Sequence, residues 1–227
     1  YTKTLGGNLP SLRSATASEG NIYVNSGTFD LSTFTANRGN TVTGGVFNVS
    51  NGATLKIGGT STFPAFYNAH NLSLTSTVEY NGANQAVSLE LYGNLILSGS
   101  SGNPVKTMPT NPFSVTNDFT SSQGSATTVS FTSGNNISIG RNVTIGASTI
   151  FDGSSHSHTV GGTWTNSGTY TGSTSTVTFT GTNTSINGTG NQNFFNLTIT
   201  ASGITAAANA ALSVGGNFIT SGAGTFT

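Results

Sequence analysis

Not one cysteine occurs in the chain, so neither disulfides nor thiolate metal centres enter its chemistry. That absence fits a secreted bacterial protein and argues against a small disulfide-stapled animal domain. Charge is almost as scarce: six basic and six acidic side chains are 5% of 227 residues, and the formal net charge is zero. Nucleic acid and anionic membrane surfaces recruit proteins through fields of lysine and arginine, so no nucleic-acid partner is expected. No apolar run approaches the ~18 residues of a membrane span, so membrane insertion is not expected, and no charged-then-apolar signal segment opens the chain. Helical periodicity is missing almost everywhere. The one alanine-rich candidate, Ala206 to Leu212, reads better as a turn running into a strand.

What is abundant is glycine, serine, threonine and asparagine, a composition that signals disorder unless something apolar is patterned within it. Something is: 14 Phe, 6 Tyr and many aliphatics alternate with Thr and Ser, a pattern that buries one face of a strand. Short strands are predicted at 22–24, 28–31, 46–49, 54–57, 129–131, 137–139 and 143–145, each bounded by residues that accept the conformations of sharp corners. Lys56 between Leu55 and Ile57 displays the period of two, charge outward and aliphatics inward.

The chain also echoes itself. Ser76-Thr77-Val78-Glu79-Tyr80-Asn81-Gly82 has the template of Ser175-Thr176-Val177-Thr178-Phe179-Thr180-Gly181, an offset of 99 residues. Asn94-Leu95-Ile96-Leu97 answers Asn196-Leu197-Thr198-Ile199 at 102, and Phe113-Ser114-Val115 answers Leu212-Ser213-Val214 back at 99, so that about 76–119 matches 175–218. A repeat that tolerates turn insertions while keeping its strands marks a stacked architecture. The expectation is an all-β chain, a single continuous parallel β-solenoid (β-helix) over 1–227, of about ten coils of ~20–25 residues and about 45–50 Å long. The alternative is an array of β-sandwich modules, whose strands are commonly longer and joined by hairpins. Both ends, Tyr1 and the strand-like Gly222 to Thr227, read as cuts within a larger protein.

The phrases at 20–31, 51–59, 161–170 and 195–199, among them Gly161-Gly162-Thr163-Trp164-Thr165-Asn166-Ser167-Gly168-Thr169-Tyr170, resemble the repeat regions of very large secreted surface adhesins of Bacteroidota-type bacteria. That group includes the filamentous adhesins of gliding species. The resemblance implies export to the cell surface, through the type IX route, and an adhesive or scaffolding role. Its implied partners are surface glycans or other surfaces and neighbouring modules of the same long chain.

Chemistry is sparse. The acids Glu19, Asp30, Glu79, Glu90, Asp118 and Asp152 are scattered, whereas a polysaccharide-cleaving solenoid needs clustered carboxylates. Glu79 and Glu90 are the nearest pair, and Thr178 replaces Glu79 in the second copy. Asp152, His156 and His158 form the one set resembling metal ligands, since histidines two apart on a strand share a side. A Gly-Ser corner that happens to carry polar residues is the favoured reading, since no firm fourth ligand lies nearby in the sequence, and no metal site is assigned. No nucleophile elbow or phosphate loop is present. No catalytic residue and no cofactor is therefore assigned, and a non-enzymatic structural or adhesive module is expected. A carbohydrate-binding or carbohydrate-degrading β-helix would instead turn Tyr23, Tyr67, Tyr92, Trp164 and Tyr170 outward along one face. Ice binding would need a regular threonine array, which Thr171, Thr174, Thr176, Thr178 and Thr180 provide only locally.

Overall fold

A computed structural model describes residues 1–9, 20–38, 43–182, 184–200, 204–206 and 211–221. Glu19, residues 207–210 of the alanine-rich candidate and the end segment 222–227 lie outside the described residues. The described chain holds 27 strands of two to four residues and no helix. Every ladder is parallel and joins strands one coil apart, so the fold is a β-solenoid of about nine turns. Hairpin pairing, which a sandwich requires, does not occur among these strands.

One face is continuous from end to end. Its ten strands start at Thr2–Thr4 and run through Thr28–Asp30, Thr54–Ile57, Thr77–Tyr80, Asn94–Leu97, Phe119–Ser121, Val143–Ile145, Trp164–Asn166 and Thr184–Asn187 to Ile204–Ala206. Nine steps of ~4.8 Å make a stack about 43 Å long. Coil length varies along it: Thr2 pairs with Thr28 across a long coil, Thr77 with Asn94 across a short one, and Thr184 with Ile204 across one between these. A second face has three strands, Ile22–Val24, Val46–Val49 and Ala69–Leu72, followed by a separate seven-stranded sheet from Leu91–Tyr92 to Phe218–Thr220. Among the described residues the third face begins at Gln85–Ala86, continues through Val105–Thr107, Val129–Thr132 and Thr149–Asp152 to Thr169–Thr171, and ends with Gln192–Phe194 and Leu212–Val214.

Alternation decides which side chains enter. Thr54–Ile57, Thr77–Tyr80, Asn94–Leu97 and Asn196–Ile199 all bury their second and fourth residues, and Lys56 points outward as its neighbours Leu55 and Ile57 point in. In-register pairing then stacks like on like: Leu55, Val78, Leu95, Phe119, Val143 and Trp164 form one inward column of the first face. On the third face Phe131, Phe151 and Tyr170 are paired in register, the first two stacked at 4.7 Å, and Trp164 meets Tyr170 edge-on at 4.8 Å. Such ring pairs add about 0.5–1.5 kcal/mol each beyond area burial. Corners need backbone that turns left. At Asp30 and Asp152 the carboxylate Oδ1 accepts the N–H two residues on, from Ser32 and Ser154, both at positive φ (53° and 55°).

The 99-residue echo turns out to be rotated. Thr77–Tyr80 and Thr176–Phe179 are the seventh and twenty-first strands, and the same interval of 14 strands separates Asn94–Leu97 from Asn196–Ile199 and Phe113–Val115 from Leu212–Val214. With three strands per coil, 14 is four coils plus two strands. Each copy therefore lands on a different face: Thr77–Tyr80 on the first, Thr176–Phe179 on the second. A strand-and-corner phrase with alternate residues inward satisfies any side of the coil, so the repeated unit is the phrase rather than the coil.

Candidate functional site

The sequence-predicted ligand set does not converge. Asp152 ends a third-face strand, where its Oδ1 accepts from Ser154 N (2.8 Å) and Ser173 Oγ (2.7 Å). His156 lies in the following corner, outside the strand Ser157–Val160, so the two histidines do not share a strand face. His158 is buried in an inward column beside Val177. Its Nδ1 accepts the Ile137 N–H (3.3 Å), which places the proton on Nε2, and Nε2 donates to Gly153 O (3.1 Å). Burial lowers its pKa, and the neutral ring has no lone pair left for a metal. Among the described residues no group of three or more histidine and carboxylate side chains comes together.

Glu79 and Glu90 are likewise apart. Glu79 Oε2 is 3.7 Å from Lys56 Nζ on the first face, and its Oε1 accepts from Ser98 Oγ (2.6 Å). Glu90 leads into the second face and meets His70 Nδ1 at 2.7 Å. Four of the five aromatic candidates, Tyr67, Tyr92, Trp164 and Tyr170, are core residues, while Tyr23 is 59% exposed. They fill the solenoid and present no sugar-stacking row. Of the local threonines, Thr176 and Thr178 lie on the second face and Thr171 on the third.

Two features have no warning in the sequence. Lys106 occupies an inward position of the third face, 1% exposed, while Val105 and Thr107 face out. Its ammonium donates to Gly82 O (2.9 Å), Ala83 O (3.0 Å) and Gln85 Oε1 (2.7 Å), closing a corner whose carbonyls point inward. Burial pushes its pKa down to about 8, against the opposing pull of Glu79. Gln85 and Gln192 serve other corners in the same way, with Nε2 donating to Ser61 O (2.9 Å) and Gly190 O (2.7 Å). These three side chains are corner caps, satisfying carbonyls that would otherwise be buried without a donor.

The second feature is a shallow trough on the outer surface of the seven-stranded sheet. It joins two depressions of about 350 and 310 Å³ that share Pro112, Phe113 and Ser114. Leu89, Glu90 and Leu91 line one end, and Asn136, Ser138, Ser157 and Thr159 the other. Leu91, Ser114, Ser138 and Thr159 are consecutive register partners, so the trough crosses four coils. Compared with known proteins, the chain matches no family model, no curated protein and no solved structure.

Proposed function

We propose that the chain is a non-enzymatic structural and adhesive module, a rigid spacer or filament segment of a secreted bacterial cell-surface protein. The observation that carries this reading is the first face, whose parallel pairing runs without a break through all ten strands. In such a ladder the backbone groups of each coil are bonded to the coils before and after, so stiffness comes from stacking and needs little charge. The resemblance of the phrases at 20–31 and 161–170 to surface-adhesin repeats supports the location and the type IX route. A polysaccharide-cleaving reading is less favoured, because Glu79 and Glu90 belong to different faces and each is engaged by other side chains.

Single-molecule pulling along the stack tests the mechanical part. Coils such as those from Thr77 to Asn94 and from Thr2 to Thr28 should release one at a time, each adding roughly 60–90 Å of contour length. Featureless extension at low force would count against a load-bearing role. Immunogold labelling of the producing cell tests the location, and label confined to the cytoplasm would refute it.

A further inference from the structure

We propose that the trough on the second face binds a single strand of neutral polysaccharide lying along the solenoid axis. The inference rests on the adhesive reading and names where contact is made and with what chemistry.

The lining selects the partner. Glu90 is the one ionisable side chain in either depression, and it is held by His70 at 2.7 Å. No lysine or arginine lines the trough, so a polyanion would meet no counter-charge. A protein partner would call for an aromatic or arginine anchor in a desolvated pocket, whereas Phe113 and Ile137 of the lining are turned into the core, 6% and 1% exposed, and the outward side chains are small hydroxyls, one amide, Glu90, Pro112 and two leucines. A neutral glycan matches both ends of that lining. Its ring hydroxyls donate and accept as Ser114, Ser138 and Thr159 do, and those hydroxyls recur once per coil at ~4.8 Å, about one step per sugar ring. Thr159 Oγ1 donates to Ser138 Oγ (2.9 Å), which leaves the Ser138 hydroxyl proton for a ligand. Asn136 Oδ1 accepts the Ser157 N–H (2.8 Å), which leaves the Asn136 amide NH₂. At the other end Leu89 and Leu91, 49% and 65% exposed in a chain that buries most of its aliphatics, form an apolar step for the C–H face of a sugar.

The test is retention of the whole chain on cellulose, chitin and insoluble α-glucan, with Ser138→Arg and Leu91→Asp in the trough and Thr144→Arg on the outer side of the first face. Circular dichroism confirms that each variant is folded. Retention on at least one polymer, weakened about tenfold or more by either trough change and less than about twofold by Thr144→Arg, is the expected result. The proposal is overturned by no retention on any polymer, by equal loss with Thr144→Arg, or by retention that ignores both trough changes. Adsorption to ice alone, or self-association abolished by the trough changes, also overturns it by assigning the trough to another occupant. Stepwise coil release under force is independent of these outcomes, so failure here leaves the structural reading separately testable.

Discussion

The first three coils and the later ones solve one problem in two ways. From Thr77 onward three short strands in each coil close a three-sided interior. Before it, the described residues of the coils that carry Thr2 to Thr28, Thr28 to Thr54 and Thr54 to Thr77 have strands on two sides only. Where it is described, their third side is irregular chain, in which Pro64 lacks a donor and Phe66 takes φ 70°. Leu31, Ala36, Arg38, Phe63 and Tyr67 fill the space there, with Tyr67 Oη donating to Ala36 O (2.7 Å) and Arg38 N to Ala65 O (3.0 Å). Successive coils thus remain bonded where no sheet forms. A solenoid needs inward apolar groups and coil-to-coil bonds; regular strands are the shortest way to supply both.

Core truncation separates the two regions most strongly. Trp164→Ala removes a ring packed against Tyr170, Phe194, Phe179 and Phe151 and should lose about 3–5 kcal/mol in urea denaturation. Phe63→Ala, with Phe47 and His70 as ring neighbours, should fall at about 3 kcal/mol, the low end of that range. Equal losses would erase the packing difference between the regions.

Lys106 stands just beyond the change of architecture, and its depressed pKa sets a sign. The unfolded chain holds that proton to about pH 10.4, the folded chain only to about 8. The unfolded state binds more protons between these values, so stability rises with pH, by about 1.5 kcal/mol from pH 8 to 9.5. Conversely, that contribution disappears as pH falls through about 8. The buried tyrosines, whose pKa values are raised by burial, act only above pH 10 and in the opposite direction. Lys106→Met should flatten the rise; an unchanged slope would show that the ammonium is not the titrating group.

Glycines test the closeness of approach. A side chain at Gly181 would collide with the backbone of Gly161 one coil below, so Gly181→Ala should lose about 1–3 kcal/mol. Gly52, in the early coils, has open space around it and φ 73°, and its replacement by alanine should cost about 1 kcal/mol from backbone conformation alone. A larger loss at Gly52 than at Gly181 would reverse the argument. The smallest effect should be the same in both regions: Asn51→Ala and Asn142→Ala each remove an Oδ1 that accepts a backbone N–H of the next coil, from Thr75 (3.0 Å) and Thr163 (2.9 Å). Each should lower stability by about 0.5–1.5 kcal/mol; a clear difference between the two would show that the regions are braced differently.

Strand positions were legible because their signal is local. The strands predicted at 22–24, 46–49, 54–57, 137–139 and 143–145 stand at those residues, since alternation over one short segment already specifies inside and outside. The trough was illegible, because Leu91, Ser114, Ser138 and Thr159 become neighbours only through the length of a whole coil, which no local pattern encodes. The same holds for the asparagines. In the sequence they mark corners, but Asn21, Asn84, Asn136 and Asn196 each accept a backbone N–H from the following coil, at Val46, Val105, Ser157 and Asn217.

By itself, then, the sequence determined an all-β stacked chain of short strands and glycine-rich corners, with apolar and aromatic residues inward and almost no charge to place. Those properties follow from side-chain periodicity and backbone preference, which act over a few residues. Tertiary structure alone decided the number of faces in each region, the one-face rotation of the 99-residue echo and the burial of Lys106 and His158. It also separated Asp152, His156 and His158, and it assembled the trough. Each of these depends on which residues one full coil brings into register, and that distance is set by corner lengths whose effects accumulate along the whole stack.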